Sequence, residues 1–265
     1  MYRQSDLQSK AIATICLIAL QPGSALAQNS QAAAPGDPEI VTDRPDVTES
    51  SIVVPVASLQ FENGLTWTTD HGAQSVDFPE TLVRLGILAR TEFRFVVPNY
   101  LYGTGLVSGF GDLAIGMKRQ LGPLPGGIDL SVIAAVSLPT GSHGFTSGGY
   151  DPFVKFPWSK DLAGGWSIGG MQSLFWNTDG GRRNGVWEPT FYLEKQIIEP
   201  LDAFMEYTGD YSQRGGPKQL LHFGTAYKLN ALNQVDFHFG FGLSHATPNH
   251  FFAVGYSVRF DKLWR

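Results

Sequence analysis

Val235-Asp236-Phe237-His238-Phe239-Gly240-Phe241-Gly242-Leu243 alternates without a fault: each odd position is Val, Phe or Leu, and each even one is Asp, His or Gly. A period of two belongs to a strand, whose successive side chains point to opposite faces. One face here is bulky and apolar, the other polar or nearly bare. On the C-terminal side Phe252, Val254, Tyr256, Val258 and Phe260 alternate with Ala253, Gly255, Ser257 and Arg259. On the N-terminal side Leu221, Phe223, Thr225, Tyr227 and Leu229 alternate with His222, Gly224 and Ala226.

Working back toward the N-terminus, the same period marks runs around Ala203 to Tyr207, Trp187 to Glu194, Leu130 to Leu138, Leu113 to Lys118, Phe93 to Val97, Val83 to Ile87 and Leu59 to Thr68. Noisier runs lie at Phe153 to Trp158 and Trp166 to Trp176. The total is twelve strands, an even number, as single-chain bacterial barrels require. The expected fold is all-β: a single transmembrane antiparallel β-barrel with short periplasmic turns, longer external loops and both ends in the periplasm. Asp70 to Pro79, Pro98 to Gly111, Pro139 to Pro152, Asn177 to Gly185, Asp210 to Pro217 and Ser244 to His250 are the expected external loops.

A water-soluble β sandwich or lipocalin-like barrel shares this periodicity with its faces reversed. The polar face separates the two. It carries Gly64, Gly86, Gly116, Ser131, Ala135, Gly224, Gly240 and Gly255, where a solvent-facing sheet would carry Lys, Glu and Thr. Small residues suit a confined lumen, and aromatics on the other face suit lipid and its interfaces. Composition agrees: 43% apolar, 12% aromatic, 31 glycines and only 16% charged, against about 25% in ordinary soluble domains. A net charge of -5 without a basic patch argues against a nucleic-acid partner.

Before the strands, Arg3 and Lys10 precede an apolar run from Ala11 to Leu20, followed by the small-x-small site Ala25-Leu26-Ala27. That run is too short to span a bilayer as a helix and reads as a signal peptide over 1–27, cut after Ala27. The only cysteine, Cys16, falls inside it, so the mature chain offers no disulfide, CxxC site or thiol nucleophile. Residues 28–56 read as a flexible N-terminal segment and 57–265 as the barrel.

Within that segment Thr42-Asp43-Arg44-Pro45-Asp46-Val47-Thr48-Glu49-Ser50 stands out, followed by Leu59-Gln60-Phe61-Glu62-Asn63-Gly64. With Phe110-Gly111-Asp112-Leu113-Ala114-Ile115-Gly116-Met117-Lys118 and Ser137-Leu138-Pro139-Thr140-Gly141, and Asp151-Pro152 beyond, the chain resembles outer-membrane proteins of the MetA-pathway of phenol degradation family. The resemblance covers nearly all of the mature chain. It implies a bacterial outer-membrane channel or transporter for small hydrophobic or aromatic compounds. A departure is the C-terminus, where Arg265 follows Trp264 although barrel chains commonly end on an aromatic residue.

If the barrel assignment holds, Glu62, Arg84, Glu92, Arg94, Asp112, Lys118, Glu188, Glu194, Glu206, His222, Asp236, His238 and Arg259 face the lumen. Acids outnumber bases, which fits either a pore with slight cation preference or a set of lumen salt bridges. Asp43, Arg44, Asp46 and Glu49 mark a plug or gate inside the lumen, or else an ordered periplasmic lead-in. Pro45 and Pro55 make this stretch a poor strand.

Three classes of function remain at this point. A channel or transporter passes a small solute through the lumen. A non-conducting structural or binding barrel works through its external loops. A barrel hydrolase would need His222 or His238 beside a nucleophile such as Ser244 with Glu206 or Asp236, and no GxSxG elbow surrounds them. The expected protein is not an enzyme. No metal site is expected, since the remaining histidines lack ligand spacing, and no cofactor, since the glycines lie in strands and hairpins. Its partners are outer-membrane lipid and a small solute.

Overall fold

The computed structural model describes residues 38–103 and 107–264. The expected signal peptide and residues 28–37 lie outside them. The described residues form fifteen strands and no helix: β1 (Leu59–Asp70), β2 (Ala73–Phe78), β3 (Leu82–Leu88), β4 (Thr91–Val96), β5 (Tyr100–Gly103), β6 (Gly109–Phe110), β7 (Leu113–Gln120), β8 (Ile128–Leu138), β9 (Asp151–Leu162), β10 (Trp166–Asp179), β11 (Arg182–Ile198), β12 (Leu201–Ser212), β13 (Lys218–Asn230), β14 (Asn233–Gly242) and β15 (His250–Phe260). Each pairs antiparallel with its neighbour. β15 returns to β1 in a register from Leu59 opposite Phe260 to Thr69 opposite His250, which closes the sheet.

The fifteen segments make twelve staves, because three staves are interrupted. β1 pairs with both β2 and β3, β4 continues as β5, and β6 continues as β7. Pro79 and Pro98 sit in two of the gaps, where proline has no N–H to give the ladder. Single backbone bonds carry the wall across: Gly64 N–H to the Pro79 carbonyl (2.7 Å), Val97 to Thr81 (2.9 Å) and Gly111 to Asn99 (2.9 Å).

Two expected external loops are therefore mostly strand. Asp70 to Pro79 shrinks to a turn at His71 and Gly72, both at positive φ as a two-residue hairpin needs, and then becomes β2. Asn177 to Gly185 is strand apart from Gly180 and Gly181, again at positive φ. Pro98 to Gly111 contains β5 and β6. Gln74, Val76 and Phe78 do alternate, but Pro79 immediately after them masks the run as loop. The longest connection, 139–150, does lie at the end away from the barrel termini.

The barrel is inside out relative to a soluble domain. Trp67, Phe95, Trp187, Phe237, Phe252 and Tyr256 stand on the outer surface at 38–46% exposure, while Arg84, Lys118, Gln60, Glu62 and Glu92 are fully buried inside. No helix among the described residues is long and apolar enough to cross a membrane. An outer surface of this kind needs lipid around it. Phe237→Arg, in the middle of β14, is expected to cost about 2–4 kcal/mol of folding stability in bilayers. Urea titration of the refolded protein in lipid vesicles checks this, and an unchanged midpoint would contradict the orientation.

Candidate functional site

The segment from Pro38 to Ser58 runs through the lumen instead of hanging below it. It starts at the end of the barrel that holds its termini, where the Ile40 N–H donates to the Ala231 carbonyl (2.7 Å) and Arg259 Nη1 to the Glu39 carbonyl (3.0 Å). It crosses the interior and returns to Pro55, where Ala57 and Ser58 pair with Gly86 just before β1 begins. Glycines make room for it. A Cβ at Gly86 would overlap the backbone of Pro55, and one at Gly64 would overlap the Arg44 guanidinium. The small lumen residues thus accommodate this chain.

Its prolines and lack of a partner strand leave the segment's N–H groups without a ladder, and buried N–H groups must be paired. Inward-facing carboxylates fill that role. Glu62 accepts from Asp43 N–H (2.7 Å), Glu206 from Val47 (2.6 Å) and Thr48 (2.8 Å), and Glu92 from Val54 (2.8 Å). The surplus of inward acids is in part a set of acceptors for a buried backbone.

Side chains of the segment divide by charge. Asp43 lies against Arg94 (2.5 Å), Lys118 (3.0 Å) and Arg84 (3.3 Å), and Glu49 against Arg94 (2.6 Å) and Lys155 (2.7 Å). Glu62 and Glu92 complete this group at 2.9 Å from Arg84. Arg44 points the other way, to Glu80 (2.7 Å) and Asp236 (3.4 Å). Basic groups therefore line the β3 to β9 side of the wall, and acids the β11 to β14 side.

Asp46 is the exception. It is 1% exposed, and neither carboxylate oxygen finds a hydrogen-bond partner among the described residues. It borders a cavity of about 110 Å³ whose floor is Arg44 to Val47 and whose walls include His222, His238, Leu220 and Phe251. His222 and His238 stack at 6.4 Å, and both meet Phe251 edge-on. The cavity extends to Lys218, Thr247 and Pro248, next to the connections opposite the barrel termini.

Of the lumen residues expected from sequence, the structure brings Glu62, Arg84, Glu92, Arg94 and Lys118 into one cluster with Asp43 and Glu49. It places Glu188, Glu206, His222, Asp236 and His238 on the opposite wall beside Asp46 and Arg44. Two stand apart. Asp112 sits in the gap before β7 and holds the long connection by accepting from Gly141 (2.8 Å) and Ser147 (2.9 Å). Arg259 guards the mouth at the terminal end, paired with Asp261 (2.8 Å). Glu194 accepts from Ser167 (3.3 Å). Lys155 and Glu80 were missed, one on a noisy strand and the other behind Pro79. Ser244, the conceivable nucleophile, donates to the Pro217 carbonyl (2.7 Å).

Comparison with solved structures places this fold among outer-membrane barrels. The chain is similar to the COG4313 outer membrane channel from Pseudomonas putida F1 at 14% identity, covering 86% of this chain and 100% of that one with a TM-score of 0.61. It is also similar to the NanC porin (11% identity, 76% and 98% covered, TM-score 0.55) and the KdgM porin (8%, 77% and 99%, 0.51). At these identities the likeness is one of fold. A search of curated proteins gives no match. Residues 42–260, from the start of the segment to the end of the last strand, match the family described as "Putative MetA-pathway of phenol degradation". The chain belongs to that family.

Proposed function

We propose that the protein is a channel of the bacterial outer membrane that passes a small apolar or aromatic solute, with the 38–58 segment as its plug. The observation that carries this reading is the cavity of about 110 Å³ that ends on Arg44 to Val47, a vestibule closed by the chain's own N-terminal segment. Phe251, Leu220, Val47, Pro45 and Pro248 give it apolar surface, and around them stand His222, His238 and charged groups of both signs, among them Arg44, Asp46, Glu80 and Lys218. The proteins of similar fold are channels and porins.

Single-channel recording of the chain from Gln28 onward in planar bilayers, paired with uptake of an aromatic solute by protein-bearing liposomes, tests the proposal. The expected result is rare, discrete conductance steps and uptake of the aromatic solute above that of a sugar of similar mass. A heat-modifiable, inserted barrel that neither conducts nor takes up solute would favour a closed binding barrel instead.

A further inference from the structure

Glu49 occupies its place in the lumen as a ligand occupies a site. Its two carboxylate oxygens go to different cations, Oε2 to Arg94 on β4 (2.6 Å) and Oε1 to Lys155 on β9 (2.7 Å). Both partners are buried, at 4% and 1% side-chain exposure. Beside this slot lies apolar wall. Glu49 and Arg94 share a small void with Ile133, Ala135 and Phe153, and Lys155 Nζ stands 5.6 Å from the centres of the Phe153 and Phe175 rings.

The charge balance depends on the segment. On this side the wall carries Arg84, Arg94, Lys118 and Lys155 against Glu62, Glu92 and, in the same cross-strand row as Lys155, Glu188, and Asp43 and Glu49 supply two further negative charges in direct contact with the cations. Moving the segment aside leaves the cations in excess by one and strips Arg94 and Lys155 of their direct carboxylate partner, and an uncompensated charge in a confined lumen is costly. A solute that brings its own carboxylate lowers that cost, so solute and segment compete for one site.

We propose that Arg94 and Lys155, with the apolar wall at Ile133 and Phe153, form a receptor for a small hydrophobic carboxylate, occupied here by the segment's own Glu49. The inference rests on the reading of the segment as a displaceable plug, and it narrows the solute to an acid with an aromatic or branched body.

Chemical rescue tests it on the full chain. Glu49→Ala is expected to lower the temperature at which the folded barrel loses its compact, heat-modifiable form. Propionate or benzoate should raise that temperature by several degrees, whereas propionamide, benzamide and sodium chloride at equal ionic strength should not. Should E49A not refold without additive, refolding yield in benzoate against benzamide is the readout. Adding Lys155→Met to E49A should abolish the rescue. Absence of a carboxylate-specific gain in both readouts, or a gain that survives K155M, overturns the proposal. The readout needs no conductance, so a chain that never conducts defeats the channel reading alone.

Discussion

In the proposed channel, Asp43→Asn is expected to raise the fraction of time spent open by about two to three orders of magnitude. Asp43 is fully buried and compensates Arg84, Arg94 and Lys118 together. An amide of the same shape fills its space but leaves Arg84, Arg94 and Lys118 with Glu62, Glu92 and Glu49 and without the one carboxylate that touched all three. Removing one partner of a buried ion pair costs about 3–5 kcal/mol, and each 1.4 kcal/mol or so is a factor of ten in an equilibrium. The cost falls on the closed arrangement, because only there is the segment packed against those cations. In planar bilayers the variant should show frequent, long openings where the wild type shows few. An unchanged open probability in a properly inserted variant would mean that the segment does not gate the lumen.

Gly86→Val attacks the same segment by shape instead of charge. A Cβ at position 86 would run into the carbonyl group of Pro55, a backbone atom that cannot swing away like a side-chain tip. The pairing of Ala57 N–H to the Gly86 carbonyl (2.9 Å) and Gly86 N–H to the Ser58 carbonyl (2.9 Å) holds the two chains at that separation. Overpacking of this kind costs about 1–3 kcal/mol, so exposure of the segment should rise about ten- to a hundredfold. Ser51→Cys reports on it: position 51 is 2% exposed, and its thiol should resist a polar maleimide in the wild-type background and react readily with G86V. Equal labelling rates would place the close approach of Pro55 and Gly86 outside the forces that seat the segment.

These two variants probe different layers of information in the chain. Gly86 is legible in the sequence as one of several small residues on a polar face, and the inference of a confined lumen follows from that alone. What fills the lumen is not legible there. Asp43 to Ser50 reads equally well as a plug or as a lead-in, because local propensity says only that Pro45 and Pro55 make it a poor strand. The acids on the inner face invite a reading of cation preference. In the folded barrel Glu62, Glu92 and Glu206 accept from the segment's N–H groups, a use that no one-dimensional count reveals.

Lys155 shows the limit most clearly. Phe153 and Lys155 both point inward, so β9 loses the contrast between faces that makes its neighbours easy to read. Both residues are inward because Lys155 meets Glu49 and Phe153 flanks that contact, and Glu49 lies 106 positions away in the chain. A periodic signal reports the two surroundings a strand faces, lipid and lumen. It cannot report that one patch of lumen is apolar beside a charge.

By itself the sequence determined the architecture: twelve alternating staves, an apolar outside, a polar and small-residue inside, and a family signature at its opening. Those features follow from the period of two and from the cost of placing charge in lipid, both of which act on each strand separately. Only the tertiary structure decided that the opening segment crosses the lumen, that its carboxylates meet Arg84, Arg94, Lys118 and Lys155, and that Asp112 serves a loop instead of the pore. Closure of the barrel is what brings those groups together, since pairing β15 with β1 sets strands distant in the chain across one narrow space. Within that space burial makes each unpaired charge or N–H costly, so the groups that happen to face each other select their partners.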